Sequence, residues 1–129
     1  MFTYTILYVA DVTKSIEFYE QTFGLQRAFV TPENDYGELI TGTTKLAFAS
    51  IQLADSNLKK GFQQILPNDK PCGIEIGFTT DDVEGTLQKA IAAGGYLYEE
   101  TKIKPWGQTV AYIQDINGML VEICTAMEN

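Results

Sequence analysis

The sequence predicts an α+β fold made of two consecutive modules, each with the element order β-α-β-β-β. The first observation is an internal repeat: residues 72–95 repeat the pattern near the start of the chain, so that Asp82 matches Asp11 and Gly95 matches Gly24. The second is that each copy joins a β-rich run to an acidic residue, about three turns of helical pattern and a glycine. The third is that turn compositions separate the remaining apolar runs. Two halves this small should pack together into one body.

Each predicted helix begins after an acidic residue and ends near a glycine. Apolar residues recur at helical spacing over residues 12–23 and again over residues 83–93. An aspartate at the start can accept hydrogen bonds from free amides of the first turn, and a glycine can take the left-handed conformation that ends a helix. The candidate caps are Asp11 and Gly24 for the first helix, with Asp81 or Asp82 and Gly94 or Gly95 for the second.

The other periodic segments predict strands, because they are rich in Val, Ile, Tyr and Thr and are bounded by turn residues. The predicted strands cover residues 3–9, 26–31, 36–41 and 45–51 in the first module and residues 73–79, 96–102, 109–114 and 119–125 in the second. Between the modules, residues 53–66 form a short helix or an irregular connection that ends in a proline-bounded turn. Residues 115–118, Asp-Ile-Asn-Gly, predict a hairpin turn.

The length and composition predict one domain. With 129 residues and 45% hydrophobic content, the chain can bury a core. The predicted domain covers residues 1–129, with modules at about 1–52 and 72–126 joined by a connection at 53–71. No apolar run approaches the ~20 residues of a membrane span, and the first nine residues lack the pattern of a signal peptide. We therefore expect a cytoplasmic protein with no membrane partner.

The charge and the residue counts exclude several classes of function. A formal net charge of -8 with only nine Lys and Arg residues disfavours nucleic acid as a partner and permits a cationic ligand. The absence of histidine excludes Ser-His and Cys-His catalysis and metal sites that depend on imidazole. Cys72 and Cys124 show no metal-binding spacing, and we expect two small buried side chains.

Several motifs occur in a characteristic order along this duplicated pattern. They are a Pro-Trp-Gly-Gln segment at residues 105–108, the Asp-x-Asn-Gly turn at 115–118 and a Leu-Val-Glu-Ile strand at 120–123. In this combination the chain resembles the glyoxalase, bleomycin-resistance and extradiol-dioxygenase superfamily, also called vicinal oxygen chelate proteins. The resemblance implies that each module curls its four strands into an open cup. It also implies that two modules enclose a ligand pocket, often at a homodimer interface, so we expect a homodimer that binds a small molecule.

The resemblance also indicates where a metal would bind. In metal-dependent members four inward side chains, commonly two His and two Glu, hold a divalent ion, and the corresponding positions here are Tyr4, Ala47, Glu75 and Glu122. Tyr4 and Ala47 stand where two ligands would be and Glu75 stands where His is usual, so only Glu122 is retained and we expect no metal and no other cofactor. The alternative is a divalent ion such as Mg²⁺, Mn²⁺ or Ni²⁺ held by Glu75 and Glu122, because hard cations prefer oxygen ligands.

Glu75 and Glu122 lie on strand faces that, by the resemblance, line the cup. Two facing carboxylates repel each other, which raises at least one pKa and allows a pair to act as catalytic acid and base. Alternatively, the two carboxylates form an anionic pocket for a cationic or hydroxyl-rich ligand. They can also serve structure alone, with Lys45, Tyr4 or a buried water as partner.

Tyr4 and Ala47 are also candidate ligand contacts, and aromatic side chains supply the others. Trp106, the only tryptophan, can stack on a planar ligand or hold a cation over its ring, or it can pack at a module or dimer contact. The same two interpretations apply to Tyr8, Phe48 and Tyr112, because strand aromatics commonly serve packing.

Three functions follow from these observations. The leading hypothesis is metal-independent sequestration of an aromatic or cationic compound, as in antibiotic resistance of the bleomycin-resistance type. The alternative is a lyase or isomerase related to lactoylglutathione lyase, with Glu75 and Glu122 as catalytic residues, with or without a hard divalent metal. The third is an interaction domain whose cup is vestigial.

Overall fold

A computed structural model describes residues 1–127 of the chain. The predicted domain extends to residue 129, and its last two residues lie outside the described residues. The first module contains β1 (Tyr4–Val9), α1 (Val12–Phe23), β2 (Gln26–Val30), β3 (Tyr36–Ile40) and β4 (Lys45–Ser50), and is followed by α2 (Ile51–Asn57). The second contains β5 (Glu75–Thr79), α3 (Val83–Ala92), β6 (Tyr96–Ile103), β7 (Thr109–Gln114) and β8 (Leu120–Cys124).

The strands form two open sheets of four strands with the same topology. Their orders are β1-β4-β3-β2 and β5-β8-β7-β6. The first and last strands of each module pair in parallel, and the other neighbours pair antiparallel. Both sheets are therefore mixed, and the predicted α+β fold class is confirmed.

The predicted elements are confirmed with small shifts at their ends. The ambiguous connection contains the short helix α2, which begins before the predicted segment because the Ser50 hydroxyl accepts a hydrogen bond from the Leu53 amide at 3.1 Å. This cap ends β4 at Ser50 rather than at residue 51. None of the helices within residues 1–127 combines the length and apolar character needed to cross a membrane.

The N-caps of both helices follow the sequence prediction, and the structure resolves the alternative between Asp81 and Asp82. The Asp11 carboxylate accepts a hydrogen bond from the Lys14 amide at 3.1 Å, and Asp82 rather than Asp81 accepts one from the Gly85 amide at 2.9 Å. Gly24 ends α1 in the left-handed conformation with φ at +68°. Helix α3 differs at its end, because its C-cap is Ala93 rather than Gly94 or Gly95, and Gly94 with φ at +103° follows that cap.

Helix α1 lies at the centre of the core and joins the modules. The Tyr19 ring is 0% exposed and packs at 5.5 Å from the ring of Phe48 on β4 and at 5.9 Å from that of Phe78 on β5. Phe23 stacks on Phe78 with ring centres 4.1 Å apart. One aromatic cluster therefore contains side chains from both sheets.

A hydrogen-bonded latch connects the turn between β7 and β8 to α1. Asp115 is 0% exposed, and its Oδ2 accepts a hydrogen bond from the Tyr19 hydroxyl at 2.6 Å. The Asn117 side chain donates to the Ser15 hydroxyl at 3.0 Å. We call these four residues, Ser15, Tyr19, Asp115 and Asn117, the hairpin latch. It attaches the second module to the first through polar groups that the core would otherwise leave unsatisfied.

Candidate functional site

Neighbouring strands of the second sheet bring a group of polar side chains together. Glu122 on β8 lies opposite Gly77 on β5 and opposite Tyr112 on β7. Because directly opposed residues and alternate residues of a strand share one face, Glu75 and Cys124 lie on this face too. We call Glu75, Tyr112, Glu122 and Cys124 the acidic cluster. Gly77 places no side chain beside the carboxylate on the β5 side, and a Cβ there would be in ordinary van der Waals contact with Glu122 Oε1, at 3.6 Å.

Hydrogen bonding orients the Glu122 carboxylate. The Tyr112 hydroxyl donates to Glu122 Oε2 at 2.9 Å. Partial burial and then the interaction with Glu122 raise the pKa of Tyr112 to about 12, and they raise the pKa of the Cys124 thiol to about 11. Both groups therefore keep their protons at neutral pH, and the negative charge of the cluster is restricted to its two carboxylates.

The two carboxylates interact with each other. Although Glu75 is exposed, partial desolvation of its carboxyl by the sheet raises its pKa, and the charge of Glu122 raises it further. Within residues 1–127, no lysine or arginine forms a salt bridge with either glutamate. The arrangement can attract a cation or exchange a proton.

The first module contains another carboxylate that accepts a hydrogen bond from a tyrosine, Glu38 on β3, and it is neutralised. Glu38 is 8% exposed, Lys45 Nζ lies 3.2 Å from its Oε1, and the Tyr36 hydroxyl donates to its Oε2 at 2.8 Å. Burial and the hydrogen bond to Glu38 raise the pKa of Tyr36. Lys45 thus pairs with Glu38, which corrects the expectation that it could serve Glu75 or Glu122.

This neutralised group, Tyr36, Glu38 and Lys45, was not among the predicted site residues. The sequence feature that indicates this group is the spacing of Tyr36 and Glu38, which are two residues apart on one strand and therefore share a face. The register places Glu38 opposite Ala47, so the small side chain of Ala47 leaves room for the carboxylate. Sequence patterning could identify that face but not the lysine that reaches it.

The four positions that the resemblance assigned to a metal do not form one ligand set. Glu75 and Glu122 lie together, whereas Tyr4 is 48% exposed on β1 and Ala47 is 0% exposed beneath its neighbours. Among residues 1–127, no three or more His, Cys, Asp and Glu side chains are arranged to hold a metal ion. Two carboxylate side chains and a protonated thiol do not fit the four-ligand centre of the metal-dependent relatives.

One of the predicted aromatic contacts belongs to packing. Phe48 is 0% exposed against Tyr19, so the expectation that it contacts a ligand was wrong. The physical reason is strand alternation, which turns Phe48 toward α1 when Ala47 takes the other face. Tyr8 is partly buried, and its ring meets that of Phe62 edge to face at 4.9 Å.

Trp106 lies apart from the acidic cluster. It occupies the turn between β6 and β7, is 64% exposed, and donates from Nε1 to Gln108 Oε1 at 2.8 Å. The adjacent cavity of about 370 Å³ is lined by residues 106–109 and 125–127, which include none of the four residues of the acidic cluster.

The two cysteines differ in their exposure. Cys124 is buried as expected, whereas Cys72 is exposed, so the expectation that both are buried was wrong for Cys72.

Comparisons with known proteins agree with this architecture. A family model described as a glyoxalase-like domain matches residues 2–128. None of the curated proteins compared with the chain has a significant match to it.

Solved structures show the same fold. A glyoxalase-related enzyme from Fulvimarina pelagi superposes with a TM-score of 0.82 at 19% identity, over 98% of this chain and 88% of that chain. A hypothetical protein from S. aureus gives 0.77 at 20% identity, over 98% and 92%. A glyoxalase/bleomycin resistance protein/dioxygenase family enzyme from Burkholderia phytofirmans PsJN gives 0.69 at 22% identity, over 95% and 96%.

Proposed function

The chain belongs to the glyoxalase-like domain family, and from that premise we propose that it is a small-molecule-binding protein that sequesters a cationic compound with an aromatic part. The proposed contacts are Glu75 and Glu122 for the charge and Tyr112 for the aromatic part. The observation that carries the proposal is the difference between the two modules. Glu38 has a lysine partner, whereas Glu75 and Glu122 have none among residues 1–127.

A cationic ligand would relieve the repulsion in the acidic cluster. Two neighbouring carboxylates raise each other's electrostatic energy, and a positive group between them reverses the sign of that interaction. The hydrogen bond from Tyr112 holds one carboxylate in place, which reduces the entropy that a ligand must remove. A ring next to a bound cation adds a cation–π contribution of about 0.5–2 kcal/mol.

The overall charge supports the same class of ligand. With a net charge of -8, the protein attracts cations over longer distances and repels anions. The proposed binding should therefore weaken as the salt concentration rises, because salt screens exposed charges.

The test compares two neutralising variants against a panel of planar organic cations by isothermal titration calorimetry, with EDTA present throughout. Glu122→Gln should weaken binding at least about tenfold, which corresponds to ~1.4 kcal/mol. Glu38→Gln is the matched control, and it should leave the affinity unchanged because Lys45 already neutralises that carboxylate. Equal losses in both variants, or no binding of any cation, would refute the proposal.

A second candidate function is a lyase or isomerase that uses the same pair of glutamates. The raised pKa of Glu75 beside Glu122 favours this candidate, because an acid and a base need different proton affinities near neutral pH. Its metal-dependent form requires that Mn²⁺, Mg²⁺ or Ni²⁺ raises the melting temperature, and that EDTA and Glu122→Ala both abolish the increase. Turnover that Glu75→Gln abolishes in the presence of EDTA would instead support a metal-independent form.

A further inference from the structure

The irregular segment after α2 covers an edge of the first sheet. We call residues 58–74 the strap, and it runs from the end of α2 to the start of β5. Beneath the strap, next to β1, lies a cavity of about 200 Å³. The side chains that matter for its chemistry are those of Ile6, Tyr8, Phe62, Ile65, Ile74 and Met119.

The strap is attached at several points on both sides of the cavity. The Phe62 ring packs on that of Tyr8, and the Gln114 side chain donates to the Asp69 carbonyl at 3.1 Å. Near the hydrogen bond between Gln114 and Asp69, the Leu66 carbonyl packs closely on Gly118, and no side chain would fit at Gly118. Because these contacts reach both modules, the cavity has walls that the fold itself positions.

The lining of the cavity selects for neutral apolar molecules. None of the residues that line it carries a charged side chain. Most of the lining is aliphatic, aromatic or thioether, and its polar members, Thr5, Gln63, Gln64 and Cys72, carry no charge. An apolar cavity of ~150 Å³ is large enough for benzene, so this cavity has room for a one-ring or small two-ring molecule. The Tyr8 and Phe62 rings offer faces and edges for aromatic contacts.

The cavity also has an entrance. Cys72, Ile74 and Ile65 line both the cavity and a larger groove of about 740 Å³ along the strap. Ile74 is 63% exposed and Cys72 is exposed, so a molecule can approach from solvent along this groove. None of the residues of the acidic cluster lines either space.

We propose that the strap cavity is a second ligand site, separate from the acidic cluster, that takes a small neutral aromatic molecule. The charge chemistry of the acidic cluster and the apolar lining of the strap cavity serve different ligands, so this inference does not depend on the proposed function.

The three methionines provide a direct experiment. With the methyl groups of methionine labelled with ¹³C, the protein should give three signals. Met119 lines the strap cavity and is 2% exposed, Met1 is fully exposed, and Met127 lines the Trp106 cavity. Titration with benzene, indole or naphthalene should shift the Met119 signal to saturation and leave the other two unchanged.

Cys72 gives a second readout of the same site. Because Cys124 is buried and its pKa is about 11, only Cys72 should react with Ellman's reagent. A bound probe at the entrance should slow this reaction, about tenfold when about 90% of the protein is occupied.

Two matched variants complete the test. Ile74→Trp should fill the entrance and abolish the Met119 shift, whereas Ile91→Trp, at an exposed position on α3, should not. Glu122→Gln should leave the Met119 shift intact, so failure of the proposed cation binding and failure of this inference can be told apart. The inference is overturned if none of the probes shifts Met119, if Met127 shifts instead, or if the Met119 shift survives Ile74→Trp.

Discussion

Glu38 and Glu122 illustrate how one neighbouring lysine changes the role of a glutamate. Both carboxylates accept a hydrogen bond from a tyrosine hydroxyl, at 2.8 and 2.9 Å respectively. Lys45 balances the charge of Glu38, whereas Glu122 has Glu75 as its charged neighbour. A glutamate bound by a tyrosine hydroxyl therefore belongs to a structural ion pair in one module and to a candidate binding site in the other.

The stability of the protein should depend on pH through Glu75. The pKa of Glu75 is raised in the folded state, so at a pH between its unfolded and folded pKa values the folded protein binds more protons than the unfolded chain. The contribution of Glu75 is thus fully present below the unfolded pKa of about 4 and is lost as the pH rises through the folded value. The variant Glu75→Gln has no carboxyl to deprotonate at this position, so it does not lose this stability as the pH rises.

We therefore expect the melting temperature of Glu75→Gln to equal that of the wild type at low pH and to exceed it at pH 7 and 8. Thermal unfolding of both proteins at a series of pH values measures the difference, from which the titration of groups that do not interact with Glu75 cancels. Glu100→Gln, at an exposed glutamate on β6, is the control and should give a difference that does not change with pH. A flat difference for Glu75→Gln would contradict the prediction.

Only some residues of the candidate site could be predicted from the sequence. Glu75 and Glu122 were selected through the family resemblance, and the sheet register does place them on one face. Phe48 was selected incorrectly and Glu38 was missed. Period-two patterning separates the two faces of a strand, but it does not say which face the helices cover.

At the scale of elements, the hairpin latch determines how the modules meet. Asp115 Oδ1 accepts hydrogen bonds from the amides of Asn117 and Met119 at 2.8 and 3.0 Å, and Oδ2 accepts from the Tyr19 hydroxyl. Burial raises the pKa of Asp115, against the effect of these hydrogen bonds. The latch therefore stabilises the folded protein only when each of its buried donors has a hydrogen-bond acceptor.

Asp115→Ala should lower the free energy of unfolding by about 3–5 kcal/mol, because it leaves several buried donors unsatisfied. Tyr19→Phe should lower it by about 1–3 kcal/mol, because it removes one donor from the same carboxylate. Urea denaturation measures both values. Asp81→Ala, at an exposed aspartate, should change stability by less than ~0.5 kcal/mol, and a similar value for Asp115→Ala would show that the latch is dispensable.

The contact between the strap and the hairpin predicts a position-dependent effect of alanine. Gly118 has φ at +99° and its missing side chain would collide with the Leu66 backbone, whereas Gly107 has φ at +96° with open space around it. Gly118→Ala should therefore cost more stability than Gly107→Ala, by about 1–3 kcal/mol. Comparison of the two variants by urea denaturation isolates the packing contribution, and equal losses would mean that backbone strain alone matters.

At the scale of the whole molecule, β6 leaves several apolar side chains uncovered. It is an edge strand, and its consecutive residues Tyr96, Leu97 and Tyr98 are 50%, 45% and 44% exposed. Ile103 at its end is 77% exposed. Exposed apolar edge strands promote association with another chain, and a second copy of this protein is the partner that the family resemblance implies.

We therefore expect a homodimer that sediments at twice the chain mass of 14.3 kDa. Leu97→Lys should shift the equilibrium toward monomer, because it places a charge in the apolar contact. Gln88→Lys, at an exposed position on α3, adds the same charge and should leave the dimer intact. A wild-type protein that sediments as a monomer at micromolar concentration would contradict the prediction.

The sequence by itself determined the order of the elements and the duplication of the module. Helical and strand periodicity, capping aspartates and turn glycines act over a few residues, so their effects can be predicted without knowing the fold. Only the tertiary structure decided that Lys45 neutralises Glu38 rather than Glu122, that Asp115 bonds to Tyr19, and that a cavity lies beneath the strap. Each of these depends on residues far apart in the chain, whose distances are set by sheet register and by packing of the two modules.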